Sequence, residues 1–243
     1  MAEIGTFKFR HAEVERNDAE FITAAFDSCL PFQASIGSGA QWGEQPFSEV
    51  EGFLAKQKKT IENANMYRQT GEGESYQVWI AEAERDTGGE KQLVRVGNAT
   101  ARANYWPEYV SNQQHLEDLI MTAKNFTFLV VMVTDFTVGT LRKGVGAALI
   151  QHVRACAEKE DREAMYVDCW AGNDGKLVRY VVFAGMYILT LGTYADKSIR
   201  YYECQGFTKI ADFIVERPKK EPWPGALLRM DFKRSDDATA VVQ

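Results

Sequence analysis

The stretch Leu141-Arg142-Lys143-Gly144-Val145-Gly146-Ala147-Ala148-Leu149-Ile150 joins two segments of opposite character. Before it, residues 126–133 form an almost unbroken β-favouring run, the pattern of a central strand buried on both faces. After it, Val145, Ala148, Leu149, Val153 and Cys156 fall on one stripe, so a helix runs from Gly144 to about Glu160. A strand that feeds a helix through glycine leaves main-chain N–H groups without helical partners, at the end where the helix dipole favours negative charge. Glycine also lets an anion approach the backbone closely, so the junction suits a pyrophosphate. Neither common nucleotide fingerprint fits. No Ser or Thr follows a Gly-Lys as a P-loop requires, and the third glycine of a dinucleotide loop is replaced by Leu149. A bare GxG ahead of a helix is as often a packing device as an anion site.

Working outward, a short strand at 6–11 precedes Asn17-Asp18-Ala19-Glu20, a capping-box pattern. Phe21, Ile22, Ala25, Phe26 and Cys29 then follow at helical spacing. Ser48-Glu49-Val50-Glu51 reads as a second capping box, ahead of a second helix with Phe53 and Leu54. Residues 76–83 alternate as a half-buried strand does, and Asp86-Thr87-Gly88-Gly89 turns the chain into a partner strand, 93–103. Leu116, Leu119 and Ile120 mark a helix at 115–123. Beyond the glycine loop come a buried strand at 165–170 and two closing strands at 207–215 and 226–232. No linker divides the chain, so residues 1–233 read as one domain and 234–243 as a frayed tail.

Composition limits the function. The 243 residues are 45% hydrophobic and 26% charged, the balance of a globular chain that needs no staple. Twenty-eight basic against 34 acidic residues give a net charge of −6, which argues against a nucleic-acid-coating protein and mildly favours a cationic substrate. The four cysteines, Cys29, Cys156, Cys169 and Cys204, form no CxxC pair, so no metal site is expected. No signal-peptide pattern and no apolar run of membrane-spanning length occurs, and the expected address is cytoplasmic, with no membrane partner.

Strand, two helices, hairpin, long strand, glycine loop and helix: this order resembles the GNAT superfamily of acetyl-CoA-dependent N-acetyltransferases. Gly144-Val145-Gly146 matches the core of that family's [QR]-x-x-G-x-[GA] loop, with Arg142-Lys143 as the basic run beside it. Arg200-Tyr201-Tyr202-Glu203-Cys204-Gln205-Gly206-Phe207 is similar to its "fYeklGF" ending, and Asn173 stands where the family often has asparagine. One position departs: the [QR] site holds Leu141, with Arg142 one place later. The resemblance implies a single α/β (α+β) domain with a mixed, mostly antiparallel sheet of about seven strands, flanked by helices and splayed at the central strand.

It also implies direct acetyl transfer from acetyl-CoA to a primary amine of a small molecule or peptide, both substrates being bound together. The main chain of Phe136, Thr137 and Val138 would meet the pantetheine arm. Arg142, Lys143, Gly144, Val145, Gly146 and Ala147 would hold the pyrophosphate, and Asn173 a cofactor or water hydrogen bond. Tyr202 would protonate the leaving thiolate, a phenol near pKa 10 being a donor of useful strength. The acceptor needs a base, because an alkyl ammonium is neutral in only about one molecule in 2,500 at pH 7. Asp135 is the best-placed carboxylate, with Glu84 and Glu108 behind it. Substrate contacts would come from Trp42, Trp106 and Glu108, aromatics beside a carboxylate being able to hold a cation. Each of these residues has a plain structural alternative in packing or capping. A monomer and a homodimer both stay open, as does a catalytically silent acyl-CoA-binding domain on the same fold.

One segment breaks the pattern. Removing residues 180–200 leaves Gly175-Lys176-Leu177-Val178-Arg179 running directly into Tyr201-Tyr202-Glu203-Cys204-Gln205-Gly206-Phe207, an uninterrupted family match. The removed piece is apolar and glycine-punctuated, with no period of 2 or 3.6. It reads either as a translated retained intron or gene-model error, or as a hydrophobic excursion that covers the cleft or a dimer contact.

Overall fold

The computed structural model describes residues 7–35, 39–40, 42–172, 202–217 and 221–232. Asn173, the 180–200 segment, Tyr201 and the 234–243 tail lie outside the described residues. In chain order the elements are β1 (Lys8–His11), α1 (Asp18–Ser35), α2 (Phe53–Thr70), β2 (Tyr76–Thr87), β3 (Glu90–Ala103), α3 (Glu108–Ser111), α4 (Glu117–Thr122), β4 (Phe126–Thr134), α5 (Val145–Lys159), β5 (Ala164–Trp170), β6 (Thr208–Val215) and β7 (Trp223–Asp231). The strands form one seven-stranded sheet in the order β1-β2-β3-β4-β5-β7-β6. All neighbours are antiparallel except β4 and β5. This is the mostly antiparallel, helix-flanked α/β architecture expected from the sequence.

β4 is apolar along most of its length, Thr127 and Thr134 excepted, because both its faces are covered. On one side the α5 stripe of Val145, Leu149, Ile150, Val153 and Ala157 packs on Trp79, Ala99, Leu129 and Met165. Gly97 is required there: a Cβ on it would meet the Val133 carbonyl oxygen at 2.8 Å. On the other side α1 buries Phe21, Ile22, Ala25 and Phe26 against Val78, Ile80 and Val133. α3 and the turn before α4 cover the far end of that face, Val110 and Leu116 packing on Phe126, Phe128 and Tyr166.

Both expected capping boxes are replaced by other devices. Asn17 has φ 54, a left-handed conformation outside the extended range of an N-cap. Glu20 pairs with Lys58 at 2.7 Å instead of reaching back. Asp18, fully buried, accepts from Arg10 at 2.5 and 2.9 Å, from Arg95 at 3.1 Å and from the Glu13 N–H at 2.9 Å, tying β1, β3 and α1 together. Burial opposes its ionisation, but these hydrogen bonds outweigh it and hold the carboxyl below its usual range. The second helix starts later than its box, at Phe53, behind a left-handed Gly52. The hairpin turn is as read: Gly88 and Gly89 both take positive φ, which a two-residue hairpin loop demands.

The sheet has three register shifts, at Ala81/Glu82, Thr100/Ala101 and Lys209/Ala211, and the last two bear on the site and the edge. The β3–β4 register shifts between Thr100 and Ala101, so Val130 is an extra residue on β4. The bulge reverses the alternation: Phe126, Phe128 and Val130 face away from α5, and so do Val131 and Val133 beyond it. The last lies at the edge strand β6, where Ile210 and Ile214 are exposed. Its outward carbonyls are taken by side chains from the α3–α4 segment. Gln113 Nε2 donates to Ile214 O at 3.0 Å, and His115 Nε2, necessarily protonated, to Asp212 O at 2.8 Å.

Candidate active site

β4 and β5 pair from Phe126↔Ala164 to Leu129↔Val167 and no further, although both strands continue, to Thr134 and Trp170. The sheet therefore splays where Val130 bulges. Ladder alternation fixes which groups face the opening. The Asp135 N–H donates to Val96 O at 2.9 Å, so Val133 and Val131 also bond toward β3, and Met132 and Thr134 turn their main-chain groups to the gap. Across it, the Ala171 N–H donates to Pro224 O at 2.9 Å, so Cys169 bonds toward β7, and the Asp168 carbonyl and the main chain of Trp170 face the gap. No strand among the described residues fills it. An amide-bearing chain laid there meets donors and acceptors on both sides.

The first turn of α5 lies at the same end of β4. Gly144 precedes it with φ 82, and Ala148 is the first residue to close a helical bond, to Gly144 O at 3.0 Å. The N–H groups of Val145, Gly146 and Ala147 have no acceptor within the helix. Lys143 is exposed. The Arg142 guanidinium stacks 3.8 Å from the Phe136 ring centroid, and its buried Nε has no hydrogen-bond partner among the described residues. Burial lowers the Arg142 pKa, with Asp135 acting against the shift. Leu141 packs into the hydrophobic layer under α5, leaving Arg142 and Lys143 as the cations of this loop.

Between β4 and α5, Phe136–Arg142 forms a 3-10 turn, kinked at Gly139, and does not prolong the strand. The Phe136 N–H donates to Ser28 Oγ at 3.0 Å, and the Thr137 N–H to Asp135 Oδ1 at 2.8 Å. Both are thus bonded within the protein. Val138 packs its side chain into the layer under α5, and the main chain that faces the gap lies earlier, at Met132 and Thr134. Asp135 Oδ1 also accepts from Thr137 Oγ1 at 2.7 Å, the arrangement of a capping aspartate. Glu84 is held on the hairpin by Lys8 and Lys91.

Tyr202 packs in the layer under α5 with Met132, Val138, Leu141 and Cys169, edge-on to Phe207 at 5.6 Å. The three substrate candidates do not gather there. Trp42 packs against Phe26 and Phe47 beneath α1. Trp106 lies among Phe126, Phe128 and Tyr166, at the paired end of β4 and β5, away from the splay. Both tryptophans fill core. Glu108 is exposed at the start of α3, on the rim of a cleft of about 400 Å³ with Tyr109, Gln113 and Ile214.

A residue not singled out from the sequence stands at the splay itself. Asp168 follows Val167, the last residue of β5 to pair with β4. Its Oδ1 accepts from the Tyr109 hydroxyl at 3.0 Å. Burial pushes the carboxyl up to about 6, the Tyr109 hydrogen bond opposing the rise. The available signal was one acidic residue inside an otherwise apolar strand.

No family model matches the chain, and no curated protein matches it in sequence. Solved structures match its fold. A ribosomal-protein-alanine N-acetyltransferase from Brucella melitensis is 15% identical, with a TM-score of 0.53 over 93% of this chain and 99% of that one. A Desulfovibrio desulfuricans protein assigned to the GNAT family is 12% identical, TM-score 0.51, over 93% and 99%. Salmonella typhimurium yncA, assigned as an acetyltransferase and solved with its cofactor acetyl-CoA, is 14% identical, TM-score 0.51, over 94% and 95%. The chain has the GNAT fold.

Proposed function

We propose that the chain is an acetyl-CoA-dependent N-acetyltransferase that carries an acetyl group directly to a primary amine of a small molecule or peptide in a ternary complex. The observation that carries the reading is the end of β4–β5 pairing at Leu129 and Val167, at the same end of the sheet as the open first turn of α5. The gap matches the amides of a pantetheine arm, and the helix turn matches a pyrophosphate. In this reading Met132 and Thr134 bond the arm, in place of Phe136 and Thr137. Val145, Gly146 and Ala147 supply N–H groups to the pyrophosphate, Gly144 supplies clearance, and Arg142 and Lys143 supply charge. A main-chain N–H at the gap polarises the thioester carbonyl, a term worth several kcal/mol in other enzymes. Tyr202 protonates the leaving thiolate. No group of three or more potential metal ligands occurs among the described residues, and the proposed chemistry calls for no metal. No helix of the described residues is long and apolar enough to cross a membrane, and the reading keeps the cytoplasm as the address. Residues 1–233 are taken as one catalytic domain.

A catalytically silent acyl-CoA-binding domain is the second reading, favoured by Leu141 in the core and by the engaged N–H groups of Phe136 and Thr137. Thermal unfolding with and without acetyl-CoA tests what the two share. At 100 times Kd the ligand adds about 2.7 kcal/mol, which raises Tm by roughly 5–10 °C for a chain of this size. No shift overturns both readings; turnover with an amine separates them.

A further inference from the structure

We infer that Asp168 is the general base that takes the proton of the acceptor amine, with Tyr109 as its positioning residue. The inference rests on the acetyltransferase reading and replaces Asp135 in it. Asp135 spends its Oδ1 on two hydrogen bonds from Thr137. Asp168 stands where the reacting atoms must meet. It is the first residue of β5 past the last β4 pair, and its carbonyl faces the gap. Its side chain lies on the face away from α5, as those of Ala164 and Tyr166 do. A thioester in the gap would thus be approached by an amine from the α3 side, across this carboxyl.

The carboxyl is held rigidly. Tyr109 stacks on Phe213 at 6.1 Å and meets Trp223 edge-on at 6.3 Å, so its hydroxyl has a fixed aim. Asp168 keeps partial contact with solvent while its carboxyl is enclosed by protein, the combination a proton acceptor needs if it is to discharge. A base that titrates near the working pH is the most effective for such a transfer. The titratable groups on the surrounding elements are Tyr109 and Glu108 of α3, Tyr166 and Cys169 of β5, Lys209 and Asp212 of β6, which pair with each other, and Arg229 and Asp231 of β7. Of these, Tyr109 hydrogen-bonds to it.

The step balances. One proton of the bound ammonium passes to Asp168, and the freed nitrogen pair attacks the thioester carbon. The C–S bond breaks with its electrons leaving on sulfur. A second nitrogen proton ends on that sulfur by way of the Tyr202 hydroxyl, and Asp168 returns its proton to water.

The test is thiol release from acetyl-CoA with a panel of primary alkylamines and short peptides, followed from pH 5 to 9 in the full chain. Wild type is expected to lose kcat/KM below about pH 6. Asp168→Asn should cut kcat about 100-fold or more and abolish that acid limb, with the acetyl-CoA-induced rise in Tm unchanged. Tyr109→Phe removes a bond that favours the carboxylate, so it should move the limb to higher pH, a readout that loss of packing alone would not give. Asp168→Asn with wild-type rate and profile overturns the inference while the acetyltransferase reading stands. A wild-type chain that neither binds acetyl-CoA nor acetylates any amine overturns both. Should Asp168→Asn not fold, an unmoved limb in Tyr109→Phe overturns the assignment.

Discussion

The hydroxyl of Ser28, on α1, accepts the main-chain N–H of Phe136 across 3.0 Å, so the helix over one face of the sheet fixes the turn that leaves β4. Removing it strands a partly buried donor. Ser28→Ala should cost about 1 kcal/mol, a Tm lower by roughly 2–4 °C. Because Met132 and Thr134, and not Phe136, face the gap, acetyl-CoA should still raise Tm as much as it does in wild type. Thermal unfolding of both proteins with and without ligand checks both parts.

Gly144 holds φ 82 where the chain enters α5. Gly144→Ala places a Cβ in a left-handed conformation, at about 1 kcal/mol, and narrows the approach to the helix turn. The unliganded Tm should fall by a few degrees, and the acetyl-CoA-induced shift should shrink well beyond that fall. A titration followed by calorimetry would show the loss as a weaker Kd.

Tyr202 packs edge-on to Phe207, an arrangement that phenylalanine can keep. Tyr202→Phe should therefore keep that packing and acetyl-CoA binding while lowering turnover about 100-fold. Unchanged turnover would remove Tyr202 from the chemistry.

Asp168 also leaves a mark on stability. Its carboxyl titrates at about 6 in the folded chain and near 3.9 when unfolded. Folding then takes up a proton between those values, so the penalty for burying the charge is absent below about pH 4, grows through the window and is complete above about pH 6. The full penalty is about 2–3 kcal/mol. Asp168→Asn retains an acceptor for Tyr109 without the charge, so it should be more stable than wild type at pH 8 by an amount of that order and equal to it at pH 4. Denaturant titrations at the two pH values decide this; a variant less stable at pH 8 would refute it.

For residues 180–200 the sequence reading favours a retained intron or gene-model error. Sequencing of spliced RNA should yield transcripts that join codon 179 to codon 201. A transcript pool uniformly containing the segment refutes this and leaves the hydrophobic excursion.

The element order was legible because each element carries its own local signal: the diglycine hairpin at Gly88, the stripe of α5, the doubly buried run of β4. The bulge at Val130 was not, since nothing in Phe126-Thr127-Phe128-Leu129-Val130-Val131-Met132-Val133 marks which residue is extra. That bulge sits where β4 and β5 part, and the splay turns the main chain of Met132 and Thr134 to the gap, whereas the sequence points to Phe136 and Thr137, whose N–H groups are bonded within the protein. Trp42 and Trp106 were drawn toward the site by their chemistry, whereas their partners are aromatic core residues distant in sequence. Asp168 carries no sequence signal beyond its charge, because its hydrogen-bond partner Tyr109 lies 59 positions away.

The side chains of Gln113 and His115 that occupy the outer carbonyls of β6 have a bearing on assembly. An edge with free carbonyls and exposed Ile210 and Ile214 is a template on which another chain can add a strand. Here the acceptors at Asp212 and Ile214 are already taken by the chain's own side chains, so β-strand augmentation at this margin would first have to displace them. Self-association through continuous sheet is therefore disfavoured on the β6 side, which protects a concentrated solution of this protein from fibrillar growth along that margin.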